Sequence, residues 1–218
     1  MQFVLGYQPL QWADSWFLLQ GALNTLAMAG TAGVIGTLLG IPLGWARAAS
    51  FSFQLLSAPL VDIFRSVPMI ITLIIFNSMF SMLNMPLSPY VLGSLALGIW
   101  MAVVTSEVAR ACFQSVPRSF RHSARSLGMS AWQELWHISL PLALRNGLSA
   151  WVGLLLSLIK DSALAGVIGY VEFMRATQTL ITRTHETWLL LLATGLFYFL
   201  ICYPISRYSR YLEEKVAI

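Results

Sequence analysis

The chain has 218 residues, of which 57% are apolar and only 10% are charged, with a net charge of +4. Soluble domains carry about 25% charged residues, so a water-soluble fold of this size would leave too much apolar surface uncovered. In a bilayer, at about 20 apolar residues per helical crossing, the chain has room for about five crossings and one sizeable loop in a single domain, 1–218.

Backbone amides must all be paired in lipid, so the crossings are helices or a closed barrel. The runs at 70–76 and 189–193 are apolar on every face, unlike the alternating strands of a barrel. The expected fold is therefore all-α and integral to the membrane. No Lys or Arg precedes Arg47, so the basic region of a secretory signal is missing and the first apolar segment is expected to remain as a span. In chain order the spans are expected at Phe17–Ala46, Leu55–Leu83, Tyr90–Cys112, Leu142–Leu164 and Thr187–Arg207.

Helix one carries Gly36, Gly40 and Gly44 at four-residue spacing, a stripe of small residues that lets another backbone approach closely. Packing within one subunit and packing between subunits would both use it. In helix two, Pro59 and Pro68 each remove a backbone donor and should bend the helix or delay its start. Cys112 and Cys202 lie far apart in apolar stretches and imply no disulfide framework. The histidines at 122, 137 and 185 have no metal-ligand spacing. Tyr198, Tyr203, Tyr208 and Tyr211, with Trp12, Trp16 and Trp188, are expected as interfacial aromatics.

Basic residues set the orientation. Arg47, Arg110, Arg118, Arg121, Arg125, Arg145, Arg207, Arg210 and Lys215 fall on one side of the expected spans, and only Arg175 and Arg183 on the other. An excess of Lys and Arg marks the cytoplasmic face, which puts the N-terminus outside and the C-terminus inside. The outer-loop residues Glu172, Arg175, Arg183, His185 and Glu186 are expected on a solvated face, with a binding-protein contact as the alternative.

The segment 114–141 is too polar to span, yet it is patterned. Pro117 suits the first turn of a helix on which Phe120, Ala124 and Leu127 share a face beside Arg118, Arg121 and Arg125. Gly128 stands where a left-handed cap would close that helix. Ser130 and Gln133 form a capping-box pattern for a second helix carrying Trp132, Leu135 and Trp136, with Pro141 as its expected end. Two short helices joined at a glycine fit a docking element, and equally a pair lying on anionic headgroups.

This segment resembles the cytoplasmic coupling loop of permeases of ATP-binding-cassette (ABC) importers. That loop reads Glu-Ala-Ala, three residues, Gly, nine residues, Ile, one residue, Leu-Pro. Here His122-Ser123-Ala124, Gly128 and Ile138-Ser139-Leu140-Pro141 hold those places, with His122 where the glutamate would be. Gly21–Leu26, Phe64-Arg65-Ser66-Val67-Pro68, Glu107-Val108-Ala109-Arg110 with Gln114-Ser115-Val116-Pro117, and Lys160-Asp161-Ser162-Ala163-Leu164 are similar to stretches of the polar amino-acid branch. The resemblance implies a type I importer permease fold with cytoplasmic coupling helices. It also implies a second permease subunit, two cytoplasmic P-loop ATPases, an external or lipid-anchored binding protein and an inner-membrane location. Coupling would then involve Arg121, His122, Ser123, Ala124, Gly128, Trp132, Leu140 and Pro141. Lys160 and Lys215 are the only lysines, and neither follows a phosphate-binding loop. ATP and Mg are therefore expected on the partner ATPase, with no cofactor in this chain. His122 in place of the glutamate fits a heterodimer with a permease carrying the fuller motif, and a homodimer as well.

Charges inside spans are costly and mark candidate sites. Asp62 and Arg65 can share a face of helix two. At the helical rise Arg65 lies roughly 15 Å, and Glu107 roughly 9 Å, in from the cytoplasmic end, so Arg65 is within reach of either carboxylate. Arg65, Glu107, Lys160, Asp161 and Ser162 are the candidate substrate residues, with a guanidinium for an amino acid's carboxylate and acids for its ammonium. Structural ion pairs, and a Ser162 hydroxyl bonded to its own helix, are the plainer alternatives. An opine or other amino-acid derivative is the runner-up solute. A membrane enzyme or a channel is the rival from another class, without a nucleophile or metal motif to support it.

Overall fold

The computed structural model describes residues 9–85 and 87–216, with the side chains of 213, 215 and 216 outside the description; Lys215 of the basic tally falls there. Every regular element among the described residues is helical. In chain order these are α1 (Trp12–Ala49), α2 (Phe51–Ser66), α3 (Met69–Met82), α4 (Pro89–Ser115), α5 (Arg118–Ser126) and α6 (Ala131–Glu134). A π-turn (Leu135–Ser139), α7 (Leu140–Asp161), a 3₁₀ turn (Ser162–Ile168), α8 (Phe173–Thr184) and α9 (Thr187–Val216) follow. Four stretches are long and apolar enough to cross a membrane: Trp12–Ala49, Pro89–Ser115, Ala131–Ile168 and Thr187–Leu212. The α2–α3 pair makes a fifth if it is one broken span.

That pair corrects the expected second helix. Val67 leaves the helix in extended conformation, φ −79° and ψ 127°, because the ring of Pro68 clashes with a helical predecessor. The chain bends by 103° there. Pro59 instead stays inside α2. Arg65 is thus in the last turn of a separate helix, and its depth along a straight span no longer applies.

The helices group into two compact units. The first runs from the start of the description to Ala32, with Pro68–Leu97 and Ser157–Pro204. Its organiser is α8, whose Phe173, Ala176, Thr177, Leu180 and Thr184 recur at helical spacing and are all buried. Glu172 caps α8, accepting from the backbone N–H of Met174 and Arg175, each at 2.7 Å. It is 0% exposed, not solvated as expected, and the Tyr198 hydroxyl donates to it at 3.5 Å. Burial pushes this carboxyl up from its ordinary range, against the pull of the two backbone donors. Tyr198 therefore stands inside the unit and not at an interface, whereas Trp12, Trp16, Trp188, Tyr203, Tyr208 and Tyr211 are exposed. The Phe173 N–H donates to Thr25 Oγ1 at 3.1 Å, and Arg183 pairs with Asp14. Arg183 also leaves the expected solvated set.

The second unit holds Gly33–Val67, Gly98–Leu156 and the chain from Ile205 onward. Here α1 lies backbone-close against α4. A Cβ at Gly36 would stand 2.3 Å from Met101 Cγ, and one at Gly40 would stand 2.7 Å from the Ala102 carbonyl. At Gly44 it would meet the Ser106 carbonyl at 2.6 Å. The glycine stripe serves packing within the subunit. Trp151 Nε1 on α7 donates to Thr37 Oγ1 at 3.0 Å, tying a third helix to α1. Cys112 and Cys202 are both free.

Gly40→Val should lower stability by about 1–3 kcal/mol through overpacking. Gly30→Ala, where a Cβ meets nothing within 4 Å, should be neutral or better. Thermal unfolding in detergent compares the two, and equal midpoints would contradict the close contact. Glu172→Ala should cost about 1 kcal/mol through loss of the cap, and Glu172→Gln less, in the same assay.

Candidate functional site

The loop between α4 and α7 is the most elaborately built segment of the second unit. Pro117 occupies the cap position with φ −58° and α5 starts at Arg118. At the other end the Met129 N–H bonds the Ala124 carbonyl and the Gly128 N–H bonds that of Arg125, each at 3.1 Å. With Gly128 at φ 83° this is a Schellman closure. Ser130 and Gln133 then form the expected capping box: the Gln133 N–H donates to Ser130 Oγ at 3.2 Å, and the Ser130 N–H donates to Gln133 Oε1 at 2.8 Å.

The second helix does not end at Pro141. A π-turn carries it on, the Leu140 N–H bonding the Leu135 carbonyl, and α7 follows with Pro141 in its first turn. A proline lacks the N–H that an α-helix would require at that point, and the wider turn accommodates the ring upstream of the span. Leu135 anchors the loop in a core with Phe113, Val116 and Ala143, against which Ile41, Ala48 and Leu140 pack.

Above that core Glu134 is 7% exposed. It accepts from the hydroxyl of Ser139 and pairs with Arg121 Nε at 3.6 Å. Glu134 carries no local signal in the sequence, because its partners Ser139 and Arg121 lie on other turns. The opposite surface is apolar yet open: Phe120, Leu127, Trp132 and Trp136 are all exposed. The two tryptophan rings meet edge-on with centroids 5.5 Å apart.

Deeper along α1 and α4, Arg47 is 3% exposed. It donates to Ser106 Oγ at 3.1 Å and to Glu107 Oε1 at 2.6 Å. Glu107 also receives Arg110 Nη2 at 2.9 Å. Arg47 had counted only as a topological charge. Its place three residues after Gly44, on the contact face of α1, was the available signal.

A family model described as "Binding-protein-dependent transport system inner membrane component" matches residues 36–218. The chain belongs to this family. It is similar over 214 residues, at 32% identity, to the glutamate/aspartate import permease protein GltK of Escherichia coli O6:H1, covering 92% of this chain and 94% of that one. It is 27% identical over 219 residues to the glutamine transport system permease protein GlnP of Escherichia coli K12, covering 95% and 98%. Among solved structures it superposes on an amino acid ABC transporter crystallised with histidines (TM-score 0.82, 22% identity, 95% of this chain and 100% of that one). The inward-facing MetNI methionine ABC transporter gives a TM-score of 0.79 at 21% identity, covering 93% and 99%. The chain has the type I importer permease fold.

Within that family fold, the residues named from the coupling motif run from α5 to the first turn of α7. Arg121, His122, Ser123, Gly128, Trp132 and Pro141 are exposed, Ala124 is buried and Leu140 half-buried. Of the candidate substrate residues, Arg65 and Glu107 belong to the second unit and Lys160, Asp161 and Ser162 to the first. Glu107 is occupied by Arg47 and Arg110, and among the described residues neither an Arg65–Glu107 nor an Arg65–Asp62 ion pair is found. Arg65 and Asp62 are exposed and without an ion pair among the described residues. Lys160 is exposed and Asp161 half-buried at the end of α7. Ser162, first residue of the 3₁₀ turn, is fully buried and donates its hydroxyl proton to the Ile159 carbonyl at 2.7 Å, in the last turn of α7. No cluster of His, Cys, Asp and Glu fit for a metal occurs among the described residues.

Gly128→Val should strain only the loop, since a Cβ there meets nothing within 4 Å while its left-handed backbone costs a side chain about 1–2 kcal/mol. The variant should insert at normal yield yet lose its loop-bound partner on co-purification; full retention would contradict a docking role for the loop.

Proposed function

We propose that this chain is the membrane-spanning permease subunit of an ABC importer that moves polar amino acids across the bacterial inner membrane. The observation that carries the reading is the α5–α6 loop: a capped pair of helices at the family's motif positions, anchored in a buried core and exposing two tryptophans. Paired, exposed tryptophans on a polar segment call for a cover, and in this reading the cover is a cytoplasmic P-loop ATPase. The loop then faces the cytoplasm with the basic tail, and the N-terminus faces outward, in line with the distribution of Lys and Arg. A second permease subunit, the same chain or a relative, and an external binding protein complete the machine. ATP and Mg belong to the ATPase, and this chain supplies the path.

For the solute, Arg65, which makes no ion pair among the described residues, suits a carboxylate. Asp161 suits an ammonium, with Lys160 and Ser162 beside it. Glu107 already serves two arginines and contributes to shape more readily than to binding. The names of the relatives, which include glutamate, aspartate and glutamine importers, favour an amino acid over an opine.

Purification of the native complex should bring down a P-loop ATPase, and a complex without one contradicts the reading. Arg65→Ala should reduce amino-acid uptake to background while the subunit composition stays unchanged. Unaltered uptake would remove Arg65 from the path.

A further inference from the structure

Among the described residues the buried threonines follow one habit, with one exception. Thr25, Thr72, Thr177, Thr184 and Thr194 each hydrogen-bond through the hydroxyl to the carbonyl four residues back, a common bond for a threonine in a helix. Thr105 on α4 does not. It is 2% exposed, and its Oγ1 has no hydrogen-bond partner among the described residues. Its methyl lies on the contact with α1, where a Cβ added to Gly40 would stand 2.8 Å from Thr105 Cγ2. The hydroxyl is therefore left to the other neighbour of Thr105, a cavity of about 300 Å³ walled by α1, α4 and α7 of the second unit.

The walls are mostly apolar, with Ile41, Val108, Phe113 and Leu148 among them, and no lining residue is charged. A zwitterionic solute would have nothing to pair with there. Thr37, the other hydroxyl of the lining, already accepts from Trp151 Nε1 at 3.0 Å. We propose that this cavity is a binding site for a compact, mostly apolar molecule with one hydrogen-bonding group, such as an aromatic alcohol, and that Thr105 recognises that group. From Thr105 to Phe113 the cavity follows α4 for roughly 12 Å at the helical rise. Its volume is twice the roughly 150 Å³ of an engineered apolar cavity that takes up benzene, which leaves room for two fused rings. A lipid acyl chain would cover the apolar walls and leave the Thr105 hydroxyl unpaired, at the cost of its desolvation. Leu144 lines the cavity and is exposed, so the mouth opens beside α7. Phe113 and Ala143 are shared with the core that seats Leu135, so an occupant braces the floor of the α5–α6 loop.

The test adds 2-naphthol or naphthalene, at matched bilayer concentrations, to the native complex in phosphatidylcholine nanodiscs. Cys112 lines the cavity, whereas Cys202 belongs to the other unit, and both thiols are free. Their alkylation by N-ethylmaleimide, followed by mass spectrometry of the two peptides, reads the site against an internal control. 2-Naphthol should slow alkylation of Cys112 saturably, by at least fivefold, and leave Cys202 unchanged. Naphthalene should need at least fivefold more to give the same protection. Thr105→Val, which keeps the shape and removes the hydroxyl, should abolish that difference and raise the thermal midpoint of the complex without added probe. No saturable protection of Cys112 overturns the proposal, and so does equal slowing at both cysteines, which would be an effect on the bilayer. Equal potency of the two probes overturns it in favour of a seat for acyl chains. A lower midpoint for Thr105→Val overturns it as well, because the hydroxyl would then already be engaged within the fold.

Discussion

The second unit depends on one contact, the approach of α1 to α4 along Gly36, Gly40 and Gly44. Lipid offers helices no hydrophobic reason to associate, so close backbone packing supplies much of the attraction. Each glycine faces an atom that a Cβ would strike. The contact also has an electrostatic result. It brings Arg47 close enough to α4 to reach Ser106 and Glu107. A guanidinium so buried is tolerable only when paired and hydrogen-bonded. The glycines and the ion pair are therefore parts of one device, in which steric closeness makes the charge pairing possible.

The same ends of α1 and α4 support the loop. Ile41 and Ala48 of α1 and Phe113 and Val116 near the end of α4 form the floor on which Leu135 and Ala143 sit. Because the π-turn continues helically into α7, a push on α6 is carried into a span without a hinge residue between them. Under the importer reading proposed above, coupling is a matter of stiffness. The Schellman closure, the capping box and the Arg121–Glu134–Ser139 contacts each remove freedom from a segment that would otherwise be a flexible polar loop.

Much of this was legible in the sequence. Five apolar runs, the break at Pro68, the cap at Gly128 and the box at Ser130–Gln133 are local signals, decided by residues within a few positions of one another. What was misread depended on distant partners. Glu172 looked like a solvated loop acid, yet the unit it caps is closed by Thr25, some 148 positions away from Phe173. Arg183 finds Asp14 across 169 positions. Pro141 looked like a helix end because a proline usually is one, and nothing in its neighbours announces a π-turn. Of the candidate substrate residues, Glu107 and Ser162 turned out to have partners of their own, while Arg65, Lys160 and Asp161 make no ion pair among the described residues.

The central claim is that this chain provides the path of an ATP-driven amino-acid importer. The most direct measurement is uptake of labelled glutamate and glutamine by proteoliposomes holding the purified native complex and its binding protein, with ATP supplied on the ATPase side. Accumulation should require both ATP and binding protein and be absent when either is withheld. Uptake indifferent to ATP would indicate a passive channel, and would contradict it.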